Sequence, residues 1–219
     1  MRLFERLQQT TYAARDDLLA HQIIRDALAG RIALAQYVAF LTQAYHHVRH
    51  TVPLLMACGS RLPDRLGWMR EAIADYIDEE QGHDEWILSD IAACGADPAA
   101  VRCGKPGLAT DVMVAYAYHQ IDRGNPVAFF GMVHVLEGTS TAIATAAAEG
   151  MQSTLRLPAN AFTYLTSHGS LDMEHVKLFA GLIDRVTDAG DQQAVIDCAN
   201  AMYHLYGNVF RSLPGSLAA

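Results

Sequence analysis

The sequence predicts an all-α bundle of about seven helices. Apolar residues recur at the helical period along almost the whole chain, and no segment alternates at period two for long, so no strand is indicated. The helical stretches are long and separated by short breaks bearing Gly or Pro, the pattern of antiparallel neighbours in one bundle.

The first helix is expected over about 3–28, stopping near Gly30, and the second over about 33–58, stopping at Gly59. Asp64 is an N-cap candidate for a third helix that ends at Gly95. The stretch ADPAAVRCGKPG then reads as a loop. A fourth helix covers about 110–123 and is broken by the GNP at 124–126. The fifth runs over about 127–149, and LPAN at 157–160 opens a sixth that reaches Thr187. The seventh covers about 192–210. No repeat, low-complexity tract or linker divides the chain, so one domain over 1–219 is expected. At 219 residues and 51% hydrophobic content it is long enough to bury a core without disulfides or zinc, and too apolar to be disordered.

Charge and composition narrow the function. The formal net charge is −8, and the 16 basic residues are scattered singly, which argues against a phosphate-neutralising face and nucleic acid as a partner. No run of about 18 uncharged apolar residues occurs, so no membrane span is expected. The stretch MRLFERLQQTTYAARDD looks like neither a signal nor a transit peptide, and a cytoplasmic location is expected. The 4 cysteines show no C-x-x-C spacing and are expected as reduced thiols.

The 10 histidines carry the chemistry, because several keep company with acids inside apolar segments. On the sixth helix, His168, Asp172 and His175 fall at about 0°, 40° and −20°, one narrow stripe shared with or close to Leu165, Phe179 and Val186. On the third, Glu80 lies within the stripe of Ile73, Ile77, Ile87 and Ile91, with His83 at its edge and Glu79 pointing away. Glu137 is an acid inside one of the most apolar stretches, FFGMVHVLEG. His46 and His50 share a face of the second helix. A carboxylate buried alone costs several kcal/mol and is retained when paired or metal-bound. Glu137 could instead pair with Arg49 or Arg123, and Arg49 could hold a substrate carboxylate. About three carboxylates and four imidazoles, without thiolate, favour iron or manganese over structural zinc. Taken singly, His21, His119, His134 and His204 read as hydrogen-bonded core residues.

These residues resemble the heme-oxygenase-like superfamily that includes TenA and PqqC, and within it the heme-oxygenase-like diiron oxidases and oxygenases. The resemblance runs from AHQIIRDALAGRIALAQYVAFLTQAYHHVRH through DEEQGHDEW and GNPVAFFGMVHVLEGTS to HGSLDMEHVKLF. His168-x3-Asp172-x2-His175 is similar to the last ligand helix of the diiron members, Glu137 to their central glutamate, and Glu80-x-x-His83 to their earlier ligand pair. The family's first ligand, often a glutamate, falls near His46, where this chain has no acid.

The resemblance implies a heme-oxygenase-like bundle holding Fe(2+), about two ions per chain, through His46, Glu80, His83, Glu137, His168, Asp172 and His175. Glu137 and His168 would be the catalytic pair, and dioxygen would be activated on a small organic substrate, amino-acid-like or fatty-acid-like. Tyr45, Arg49, Tyr116 and Phe130 are expected to bind that substrate. A homodimer is consistent with the resemblance, although no sequence feature shows it. Two other readings stay open: a metal-free PqqC-like oxidase or TenA-like hydrolase of the same fold, and a non-catalytic bundle that binds a ligand or partner.

Overall fold

Gly, Pro and hydroxyl side chains divide the chain more finely than its apolar period does. The computed structural model describes residues 1–215, and within them every side chain except those of residues 168–175. Among the described residues there are twelve α-helical segments and no strand. The all-α class agrees with the sequence; the expected count of about seven does not, because three of the expected helices are broken and a further short one forms in the expected loop.

The expected first helix is three segments, α1 (Leu3–Thr10), α2 (Tyr12–Leu19) and α3 (Gln22–Leu28). Thr11 Oγ1 donates to the Leu7 carbonyl at 2.7 Å, the local bonding that bends a helix at a threonine. The second becomes α4 (Leu34–Val48) and α5 (Thr51–Arg61). Here the cause is Pro53, which has no N–H to give the Arg49 carbonyl and whose ring would crowd it, so the chain turns at Arg49–His50. The third is a short 3-10 turn at Asp64–Leu66, then α6 (Met69–Glu80) and α7 (His83–Ala93). Gly82 at φ 89° takes the left-handed conformation between them.

Asp97 and Pro98 start α8 (Pro98–Cys103) inside the expected loop, the Asp97 carboxylate accepting from the Ala99 N–H. The remaining helices, α9 (Leu108–Arg123), α10 (Phe129–Leu155), α11 (Thr163–Ile183) and α12 (Ala189–Arg211), follow in the expected order, with α10 ending and α11 opening six residues later than expected. Asp188 caps α12 by accepting from the Asp191 N–H at 3.0 Å.

α10 is the central rod, packed against α11, α12 and α3. The stretch Pro126–Leu155 is long and apolar enough to cross a membrane by length and composition, yet 61% of its most apolar window is buried inside the molecule. Gly131 lets α10 approach α12: a Cβ there would lie 2.5 Å from the Val195 carbonyl oxygen and 2.6 Å from the Ala199 nitrogen. The start of α11 is held from two sides. The buried Asp90 carboxylate accepts from the Thr163 and Tyr164 N–H groups at 3.1 and 2.8 Å, and Tyr37 Oη donates to the Ala161 carbonyl at 2.8 Å.

Candidate functional site

Where these helices meet, an internal cavity of ≈ 150 Å³ lies between α3, α4, α5, α6, α10, the first turn of α11 and the end of α12. Its lining on α10 runs from Phe129 through Met132, Glu137, Ser140, Ala144 and Ala147 to Met151. At 1.5 Å per residue that is a stripe about 33 Å long, so the space is narrow and elongated. The described lining is mostly aliphatic and aromatic and contains no Lys or Arg.

Two acids reach this cavity from different helices: Glu80 from the last turn of α6 and Glu137 from the middle of α10. The corner at Gly82 turns His83 back on Glu80. Its Nδ1 lies 3.1 Å from Glu80 Oε2, with both side chains largely buried at 5% and 11% exposure. The His83 ring also stacks on Trp86 at 4.0 Å between centroids. Tyr76, one turn before Glu80, lines the same cavity beside Glu137, close enough to feel its charge. Burial first, then the Glu137 charge, hold the Tyr76 hydroxyl far above the usual phenol range, so it stays protonated.

The imidazole that α4 brings to the cavity is His47, not the expected His46. Neighbouring positions on a helix differ by about 100°, and the α4 stripe that faces inward is Tyr37, Phe40, His47 and Val48. His46 is buried outside the cavity, edge-on to Tyr45, with no hydrogen-bond partner at Nε2 among the described residues. Burial first, then Arg49 and His50, lower its pKa, which favours the neutral ring. His50 Nδ1 lies 3.1 Å from the Tyr118 hydroxyl.

The expected substrate contacts fall elsewhere. Tyr45 is buried with the Arg49 guanidinium 5.4 Å from its ring centroid, and Arg49 itself is exposed. Tyr116 is half-buried on α9, and Phe130 is fully buried against Phe129 and Phe179. None of the four lines the cavity, because their helix positions face neighbouring helices or solvent; the aromatic lining comes instead from Tyr37, Phe40, Tyr76, Tyr164 and Tyr206, among others. Tyr76 was legible in principle, being four residues before Glu80 and so on the same helix face.

His168, Asp172 and His175 lie outside the described side chains. Among the described residues no three His, Cys, Asp or Glu side chains converge as an ion site. The described donors (Glu80, His83, Glu137 and His47) are carboxylates and imidazoles without thiolate, and this chemistry fits iron. None of the cysteines lines the cavity. Burial raises the Cys58 and Cys198 thiols to about 12 and Cys94 to about 11, which keeps them unreactive.

A family model described as iron-containing redox enzyme matches residues 38–207. The chain belongs to the iron-containing redox enzyme family. The matched span of this iron-containing redox enzyme holds both acids, His47, His83 and Tyr76, whereas α3, Gln36, Tyr37, Phe210 and Leu213 of the cavity lie beyond it. Among the curated proteins none matches the chain.

Several solved structures share the fold of this redox enzyme. A domain of unknown function with a heme oxygenase-like fold from Shewanella denitrificans OS217 has a TM-score of 0.86 at 24% identity, covering 99% of this chain and 98% of that one. A TenA homologue from P. horikoshii OT3 has a TM-score of 0.79 at 10% identity, covering 96% and 97%. Heme oxygenase from Leptospira interrogans has a TM-score of 0.76 at 14% identity, covering 97% and 100%. At these identities the likeness concerns the heme-oxygenase-like fold.

Proposed function

We propose that this iron-containing redox enzyme is a nonheme diiron oxidase or oxygenase that activates dioxygen on a small, largely apolar organic substrate. The observation that carries the reading is the convergence of Glu80 and Glu137 from separate helices on one apolar cavity. Acids drawn together in apolar surroundings favour a cation between them. Ferrous ions, when bound, supply the electrons that reduce dioxygen.

Glu80, His83 and Glu137 are the described residues that would hold iron, with His47 in the place expected of His46, and with His168, Asp172 and His175 completing the set proposed from the sequence. The His83–Glu80 contact fixes the ring and orients the acid beside it. Tyr76, protonated on α6, places a neutral hydroxyl beside Glu137. The aliphatic walls exclude water from the reacting region.

An amino-acid substrate would need a cation for its carboxylate, and Arg49 sits outside the cavity over Tyr45. The lining therefore favours a neutral, slender apolar body. A TenA-like hydrolase is disfavoured by the position of the cysteines. A heme ligand at His21 is disfavoured too, because Arg211 Nη1 donates to His21 Nε2 at 2.9 Å.

The test is metal content. Protein loaded anaerobically with ferrous iron and desalted is expected to retain about two irons per chain, with Glu80→Gln and Glu137→Gln each holding about one or fewer. Equal iron in all three proteins, or a metal-free preparation that consumes dioxygen, would overturn the assignment.

A further inference from the structure

The two ends of the cavity are built differently. Glu80, Tyr76 and Glu137 stand towards the α5–α6 side. From Glu137 the α10 lining continues to Met151, about 21 Å farther along by the helical rise. There the space is enclosed by the α3–α4 corner, the last turns of α10 and the turn of residues 212–215 after α12.

Two of these walls are locked together by backbone. Gly30 has φ 64°, and a Cβ on it would lie 2.5 Å from the Gly150 carbonyl oxygen. A Cβ on Gly150 would lie 2.8 Å from the Leu28 carbonyl oxygen. Neither wall can recede without separating main chains that already touch.

The third wall is different in kind. Leu213 is 4% exposed and turns its side chain onto the cavity. Its turn is tied down by Gln36 Nε2, which donates to the Pro214 carbonyl at 3.0 Å. Gly215, at φ 79°, leaves room for that amide, since a Cβ there would lie 2.8 Å from Gln36 Nε2. Gln36 also lines the cavity. At the far end, Leu213 is thus the aliphatic side chain that a non-helical turn adds to a lining otherwise drawn from α3, α4 and their corner, α10 and α12, two of whose walls are in main-chain contact.

We propose that Leu213 is a specificity-determining residue: it sets how far an unbranched apolar chain can extend from the acid end, and so the length of chain the site accepts. The absence of Lys and Arg from the described lining makes a neutral hydrocarbon tail the matching ligand chemistry. The identity of the reacting end rests on the proposed function; the depth of the wall does not.

The experiment measures binding of straight-chain primary alcohols of four to ten carbons by calorimetric titration of the full chain, with and without ferrous iron. Affinity is expected to rise about fourfold per added carbon until the chain meets the wall, then to level off or fall. Leu213→Ala should move that cut-off one or two carbons longer, with at least a tenfold gain for the first alcohol beyond the wild-type limit. Leu213→Phe should move it shorter, with a comparable loss, and Leu213→Val, the mildest change, should lengthen it slightly. An unchanged cut-off in the folded variants, or no alcohol bound by any of the proteins, would overturn the proposal. Iron content of the same samples separates the two ideas: a Leu213-dependent cut-off in protein that retains no iron rejects the redox reading and leaves the wall standing.

Discussion

At Tyr76, burial and the neighbouring carboxylate act in the same direction, keeping a proton on the phenol where it can serve Glu137. Tyr76→Phe keeps the ring and removes the hydroxyl beside Glu137. It is expected to weaken ferrous binding about tenfold, as loss of a partner to a metal-holding acid does, while the helical circular dichroism is unchanged. Competition against a chelator of known affinity measures this directly. Glu80, His83 and Glu137 were legible in the sequence because acids stand out in apolar stretches. The choice of His47 over His46 was not, since it depends on which arc of α4 faces inward, and that is fixed by packing. Tyr76 stayed hidden for the opposite reason: in a sequence, an inward tyrosine looks like ordinary core.

Among elements, the seam between α10 and α12 is the most sensitive to added bulk. Gly131→Ala would drive a methyl group into the Val195 carbonyl and the Cys198 Cβ, the latter at 2.9 Å. A loss of roughly 1–3 kcal/mol is expected, read as a lower urea midpoint with unchanged slope. The helices from α9 onward were legible because their breaks are marked by GNP and LPAN and their periods are long. The earlier ones fragment for reasons that leave weaker marks. Pro53 acts four residues upstream of itself, on the Arg49 carbonyl, and Gly82 acts through a left-handed φ that a helical pattern can run straight across. The short α8 carried its signal openly in Asp97-Pro98, inside a stretch whose Gly and Pro content reads as loop.

For the molecule as a whole, two buried groups packed on α11, Asp90 at its start and His134 against Phe179, pull the pH dependence of stability in opposite directions. His134, packed by Phe4, Phe179 and Tyr203, is lowered to about 4 by burial and then by Arg15. The unfolded chain takes up this proton near pH 6.5, the folded one only near 4. The His134 contribution is therefore complete above about 6.5 and lost as pH falls to about 4, on the order of 3 kcal/mol. Asp90 is raised to about 6, burial outweighing its hydrogen bonds from Thr163 and Tyr164, so the folded chain holds that proton from about 4 to about 6 while the unfolded one has released it. Its contribution falls as pH rises across that window. Urea titrations at pH 7, 5.5 and 4 should show a shallower acid loss in His134→Phe and a steeper one in Asp90→Asn than in the unchanged protein.

The corner at Gly82 reaches further than the two helices it joins. With Glu80 ending one rod and His83 beginning the next, the contact between acid and ring spans the bend and braces the two rods against each other. The bend thus lets two donors three residues apart in the chain meet from two differently directed axes, which one straight rod would hold at a single pitch.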